Sequence, residues 1–181
     1  APSRRRWSKA LKIALTWLLV GFLWLLHWLP LPVLRALGAG LGRLLYAVGR
    51  ERRKVALTNL RLCFPEKTEA EREGIARRHF VAFAQAVLDR TLGWWASRER
   101  LERIIRIHGV EHLTDPAGRP VIMLTPHFVG LDAGGTVVSM HVVGCSVFSM
   151  QKNPVLNKLL YDGRMRFNPA VLLSRQDGMR K

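Results

Sequence analysis

Acid and cysteine are both scarce in this chain. Asp and Glu together number 13 of 181 residues against 29 Lys and Arg, leaving a net charge of +16 and a pI near 11.4. A field of that sign disfavours basic partners and selects anionic ones: phospholipid headgroups, a phosphorylated glycolipid, an acidic carrier protein or nucleic acid. The two cysteines, Cys63 and Cys145, make no disulfide framework, which excludes a disulfide-stapled secreted scaffold and suits a reducing, cytosol-facing domain. There is no zinc-spaced Cys/His cluster, RNA-binding aromatic signature or leucine zipper, so nucleic acid is set aside as the partner of the charge. The fingerprint G-x-G-x-x-G is missing too. Gly134-Gly135 is therefore read as close packing of a helix on a sheet instead of a phosphate loop. Repeats and low-complexity segments are absent.

Charge is also missing locally. From Ile13 to Leu34 no residue is ionisable except His27, and the run is rich in Leu, Trp, Val, Ile and Phe. Its 22 residues would span ~33 Å as a helix, enough to cross a bilayer core of about 30 Å. A cleaved secretory signal competes, with Arg4-Arg5-Arg6 as its basic region, but the apolar stretch is long for one and the Arg-rich segment behind it would translocate poorly. Basic residues flank the run on both sides, so the positive-inside rule barely chooses an orientation. Pro30-Leu31-Pro32 breaks or kinks its last turn, which leaves a shallow, re-entrant insertion open.

Behind the run, residues 35–62 read as helix ending at Cys63-Phe64-Pro65, with the Arg/Lys cluster at 50–54 placed either to meet an anionic surface or to face water. Thr68-Glu69-Ala70-Glu71 is a capping box. The helix it starts carries Ile75, His79, Phe80, Phe83, Ala84, Val87, Leu88 and Leu92 at three-and-four spacing, an apolar stripe on which His79 is packing. Trp94 and Trp95 read equally as membrane-interface anchors and as core. From Ile104 the pattern changes. Ile104–His108, Val121–Thr125, Val142–Ser149 and Ala170–Ser174 read as strands, alternating with helical pieces near 131–140 and 154–166, with turns at Gly109 and Asp115-Pro-Ala-Gly118. The expected class is α/β: an N-terminal anchor helix and helical region, then a central β-sheet flanked by helices. Its divisions fall at 1–34 (basic N-terminus and anchor), 35–103 (membrane-proximal helices) and 104–181 (catalytic α/β part).

His127-Phe128-Val129-Gly130-Leu131-Asp132 stands at the end of the second of those strands. A histidine with a carboxylate five positions on has the parts of a base and its orienter. At ~100° per residue, positions i and i+5 of one helix point roughly 140° apart, so the two meet only if His127 lies in the turn and Asp132 in the first helical turn. Pro126 favours that by holding Thr125 extended.

This hexapeptide resembles the H-x-x-x-x-D/E motif of the glycerolipid and lipid A acyltransferase superfamily. Arg53-Lys54-Val55-Ala56-Leu57-Thr58-Asn59-Leu60-Arg61-Leu62-Cys63-Phe64-Pro65-Glu66, Asn153-Pro154 and Gly163-Arg164-Met165-Arg166 narrow the resemblance to the bacterial lipid A secondary (late) acyltransferase family, in order along nearly all of the chain. Family members continue further, with a second acidic motif and more of the sheet, so the chain reads as an N-terminal portion. The resemblance implies transfer of a fatty acyl group from an acyl carrier protein thioester to a hydroxyl of a lipid A precursor, at the cytoplasmic face of the inner membrane. It implies His127 as base, Asp132 as its orienter and Arg164 as the family's functional arginine, with Arg166, Lys152 and Asn153 as further substrate-binding candidates. Asn153 also reads as the cap of a helix beginning at Pro154.

No cofactor or metal is required by such chemistry, and His27, His108, His112 and His141 are assigned to structure. Cys145 lies within an apolar strand and reads as a buried, inert thiol. Two other functions stay open: an acyl-CoA-dependent acyltransferase acting on another glycolipid such as a phosphatidylinositol mannoside, and a non-catalytic, basic, membrane-anchored binding module.

Overall fold

A computed structural model describes residues 2–114 and 118–175, with side chains from residue 10 onward. The chain is mostly helical and forms two compact units. One is Leu29–Arg90; the other comprises the chain up to Trp28 and from Thr91. Helix α1 (Pro2–Leu26) belongs to the second unit, α2 (Leu31–Val48) and α3 (Arg50–Cys63) to the first, and α4 (Glu69–Trp95) runs from the first into the second. The second unit then carries α5 (Arg98–Ile104), a 3-10 turn at Val110–Leu113, α6 (Leu131–His141), β1 (Cys145–Phe148), α7 (Pro154–Arg164) and β2 (Val171–Ser174). Of the Asp115–Gly118 turn only Gly118 lies among the described residues, at φ +70°; Gly109 turns the chain at φ +75°.

The long apolar run is divided between two helices. Pro30, with no N–H to give to the Leu26 carbonyl, stops α1, and with φ −55° and ψ 143° it precedes α2, which has proline in its first turn. A second break, at Gly49 (φ −82°, ψ 56°), splits the helix expected over 35–62 into α2 and α3, and α3 ends at Cys63 as its sequence indicates. By length and composition α2 could cross a membrane, and the apolar part of α1, Ala10–Leu26, is a shorter candidate.

Glycine makes the first unit compact. Leu34, Gly38, Gly42 and Tyr46 form the buried face of α2. A Cβ at Gly42 would lie 2.5 Å from Val81 Cα and 2.7 Å from the Phe80 carbonyl oxygen, and one at Gly38 2.8 Å from Gln85 Cα. The two helices therefore touch backbone to backbone, as small residues every fourth position allow. The capping box forms: Thr68 N–H donates to Glu71 (2.7 Å) and Glu71 N–H to the Thr68 hydroxyl (3.3 Å). The Thr68 N–H and the Thr68 hydroxyl, which also donates to the carboxylate (2.9 Å), hold the Glu71 carboxyl below its ordinary range, and the bidentate contact from Arg61 does the same for Glu69. The expected stripe of α4 holds in its C-terminal half, where Ala84, Leu88 and Leu92 are buried. Arg72, Ala76 and Thr91 are buried as well, while His79 and Phe83, expected on the stripe, are exposed. Successive four-residue steps drift around a helix, so three-and-four spacing does not hold one buried face over a helix of this length.

The sheet is smaller than the sequence indicates. β1 and β2 pair in parallel, Cys145 with Val171 through Phe148 with Ser174. Ile105–His108 and Val121–Thr125 are outside any ladder, and Ile122 and Leu124 are each 95% exposed. An apolar run specifies burial, whereas a strand exists only through a partner elsewhere in the chain, and the described residues provide none here. The same exposure corrects two further expectations. Cys145 is exposed, not buried, and Gly134 and Gly135 have open space where a Cβ would stand, so they do not pack a helix onto the sheet.

Gly42→Ala should lower the unfolding free energy by about 1–3 kcal/mol through overpacking, whereas Gly21→Ala, with nothing within 4 Å, should leave it unchanged or raise it slightly. Thermal unfolding of both variants reads the contrast; equal midpoints would mean that the α2–α4 contact is loose.

Candidate functional site

His127 is exposed and lies in the connection that leads to α6, one residue after Pro126. Leu131 N–H donates to the Phe128 carbonyl (3.1 Å), closing a turn, and Gly130 caps the helix, which puts half-buried Asp132 in its first turn. This is the arrangement that the i to i+5 spacing demands. A carboxylate there gains from the unpaired N–H groups at a helix start.

The remaining candidates lie around α7. Asn153 caps it, its side-chain oxygen accepting from Val155 N–H (3.0 Å) and Leu156 N–H (3.3 Å), while Nδ2 donates to Thr16 Oγ1 (2.8 Å) on α1. Lys152 is exposed just ahead of the cap. Arg164, the last residue of α7, is exposed at the rim of a cleft of about 30 Å³ shared with Phe148, Ser149, Tyr161 and Leu172. Sequence reasoning passed over Asn157 and Tyr161. They recur with Asn153 and Arg164 at positions 153, 157, 161 and 164, one face of a helix. Asn157 accepts from Gln151 N–H (2.8 Å), which closes the loop ahead of α7.

Arg166 turns back onto the end of α4. It donates to the Gly93 carbonyl (3.1 Å) and to that of Ala96, and its guanidinium lies 4.7 Å from the Phe167 ring centroid. Burial lowers its proton affinity. The last turn of α4 also meets α6 and α7 directly: a Cβ at Gly93 would stand 3.0 Å from Thr136 Oγ1, and one at Gly163 would strike the Trp94 ring. Trp94 and Trp95 are half-buried, and Trp95 packs on His27, which is itself buried between Trp24 and Trp28. His27 Nδ1 donates to the Trp24 carbonyl, and Arg100 donates to the His27 carbonyl. His108, His112 and His141 are exposed.

Comparison with known proteins adds the family. A protein-family model described as "Bacterial lipid A biosynthesis acyltransferase" matches residues 2–181. A lipid A biosynthesis lauroyltransferase of Escherichia coli (strain K12) is 34% identical over 160 residues, 87% of this chain and 52% of the relative. A lipid A biosynthesis acyltransferase of Haemophilus influenzae is 32% identical over 80% of this chain and 47% of its own length, and an E. coli lipid A biosynthesis palmitoleoyltransferase 29% over 87% and 52%. The chain thus spans about half the length of the curated relatives it matches. No solved structure gives a significant match.

Asn153→Ala should cost about 1 kcal/mol for the lost cap, and Asn153→Asp should recover most of it, since it keeps the accepting oxygen and loses only the donor to Thr16. Denaturant unfolding of the two variants reads this; equal losses would place the stabilisation in the Thr16 contact instead.

Proposed function

Because the chain belongs to the bacterial lipid A biosynthesis acyltransferase family, we propose that it transfers a fatty acyl chain from an acyl carrier protein thioester to a hydroxyl of a lipid A precursor, at the cytoplasmic face of the inner membrane. The observation that carries this reading is His127, exposed immediately ahead of a helix whose first turn holds Asp132. The relatives' names agree on lipid A and differ in the acyl group, lauroyl in one and palmitoleoyl in another. Helix α2, long and apolar enough to cross a bilayer, and the exposed apolar side chains of α1 support attachment to a membrane.

In this reading the acceptor hydroxyl is a poor nucleophile near neutral pH until neutral His127, within about 3 Å, takes its proton as the oxygen attacks the thioester carbonyl. The tetrahedral oxyanion then collapses, expelling the thiolate, which receives the proton back from the imidazolium. Asp132 orients the imidazole, fixes its tautomer and stabilises the imidazolium, as the acidic member of a triad does, but here no protein nucleophile takes part. Arg164 faces the developing oxyanion or a substrate phosphate. Lys152 supplies charge to the phosphates of carrier arm or glycolipid, and Arg166 does so while held at the end of α4. Asn153 sets α7, and with it Arg164.

His127→Ala in the full-length protein should cut turnover by at least ~10²-fold with the fold retained. The assay follows label from acyl carrier protein thioester, and in parallel from acyl-CoA, into lipid. Transfer from acyl-CoA alone would replace the donor. Unchanged function in His127→Ala, with loss on charge reversal at Arg50, Arg52 and Arg53, would instead establish a non-catalytic binding module.

A further inference from the structure

The Leu29–Arg90 unit contains a groove to which the proposed acyl transfer assigns no part. Arg43 and Tyr46 of α2 face Arg77, Arg78 and Val81 of α4 across about 480 Å³, within the range of small-ligand sites. The glycine contacts create it: with Gly42 seated on Val81, the side chains beyond the contact, Arg43 from one helix and Arg77 and Arg78 from the other, are brought to a common opening. Its lining is part apolar, from Val81 and Ala82.

The cations are arranged without being neutralised. Arg77 lies 4.6 Å from the centroid of the Tyr46 ring and Arg53 5.1 Å, and Arg53 also donates to the Tyr46 carbonyl (2.8 Å). Glu73 reaches Arg77 at 3.4 Å, an exposed pair of the kind that contributes little. Arg43 and Arg78 pair with no carboxylate among the described residues. Arg35, by contrast, is engaged by Asp89 at 3.3 Å. Three guanidinium groups around one opening, with one partial counter-charge, match the forked recognition of a phosphate.

A second feature identifies what carries the phosphate. On α2, Val33, Leu37, Leu41, Leu44 and Val48 follow one another at three-and-four spacing and are all exposed, and exposed Ala36, Gly40 and Ala47 continue this apolar surface around the helix to Arg43 at its border, on a helix apolar enough for a membrane. Arginine at the border of such a stripe stands at headgroup level with its stem in the apolar layer. A soluble anion would leave the stripe bare, whereas a lipid would fill groove and stripe together. We propose that this groove binds the headgroup phosphate of an anionic glycerophospholipid, whose acyl chains lie along the exposed face of α2. This site is distinct from the His127 site and does not depend on it.

The test uses the full-length protein in non-ionic micelles, equilibrated with phosphatidylglycerol, with phosphatidylcholine or with inorganic phosphate, and bound ligand is counted by native mass spectrometry. One phosphatidylglycerol should be retained, at least tenfold more tightly than phosphatidylcholine, with inorganic phosphate far weaker. Arg43→Gln and Arg78→Gln should each weaken phosphatidylglycerol about tenfold, and Arg78→Lys less. Arg103→Gln, an exposed change outside the groove, should have no effect; circular dichroism checks that each variant is folded. Equal retention of the two lipids, wild-type affinity in both Gln variants, or phosphate binding as tightly as lipid would each overturn the proposal. Lipid selectivity is read on the unaltered protein, so a misfolded variant does not remove the test.

Discussion

The last turn of α4 is the constraint on which the catalytic reading depends. Four carbonyls at the end of any helix lack intrahelical partners, and two near this end, those of Gly93 and Ala96, are satisfied by Arg166. Gly93 lets Thr136 of α6 approach, and Trp94 takes the space that the missing side chain of Gly163 leaves on α7. Thr136 is one turn after Asp132, and Gly163 adjoins Arg164. One helical turn thereby contacts both the helix that bears Asp132 and the helix that ends at Arg164. Arg98, which donates to the Met140 carbonyl at the far end of α6 (2.8 Å), secures the same helix a second time.

The two units use their arginines differently. Near the end of α4, Arg98, Arg100 and Arg166 each donate to backbone carbonyls and act as ties. In the Leu29–Arg90 unit, Arg72 does the same with the Phe64 and Pro65 carbonyls, while Arg43 and Arg78 remain available to an anion. The large positive charge is therefore partly structural. Along α2 an exposed arginine, Arg43, coincides with an apolar surface, the juxtaposition on which the proposed lipid site rests.

What was legible in the sequence was local. Proline at 30 and 32, the Thr68–Glu71 box, the stop at Cys63 and the Asn153-Pro154 cap act within one turn of the chain, and each stands where its residues indicate. The positions of β1 and β2 were legible from their apolar runs and bounding turns. Strand pairing was not, because it is decided between distant segments: Val121–Thr125 has the composition of a strand and no ladder. Burial failed for the same reason at Cys145, whose environment is set by what covers the strand. The glycines that pack closely, Gly38, Gly42, Gly93 and Gly163, gave no local signal, while Gly134-Gly135, conspicuous as a pair, touch nothing. At the site, the His127-to-Asp132 spacing fixed the local geometry, but the anchoring of both flanking helices on α4 could be seen only in three dimensions.

The central claim is that Asp132 acts through His127. A double-mutant cycle on acyl transfer by the full-length protein, with His127→Ala, Asp132→Asn and the pair, measures it directly. If the carboxylate only orients and stabilises the imidazole, removing it from an enzyme that already lacks the imidazole costs nothing further, and the double variant matches His127→Ala. Losses that multiply would show two residues working independently and would contradict the account.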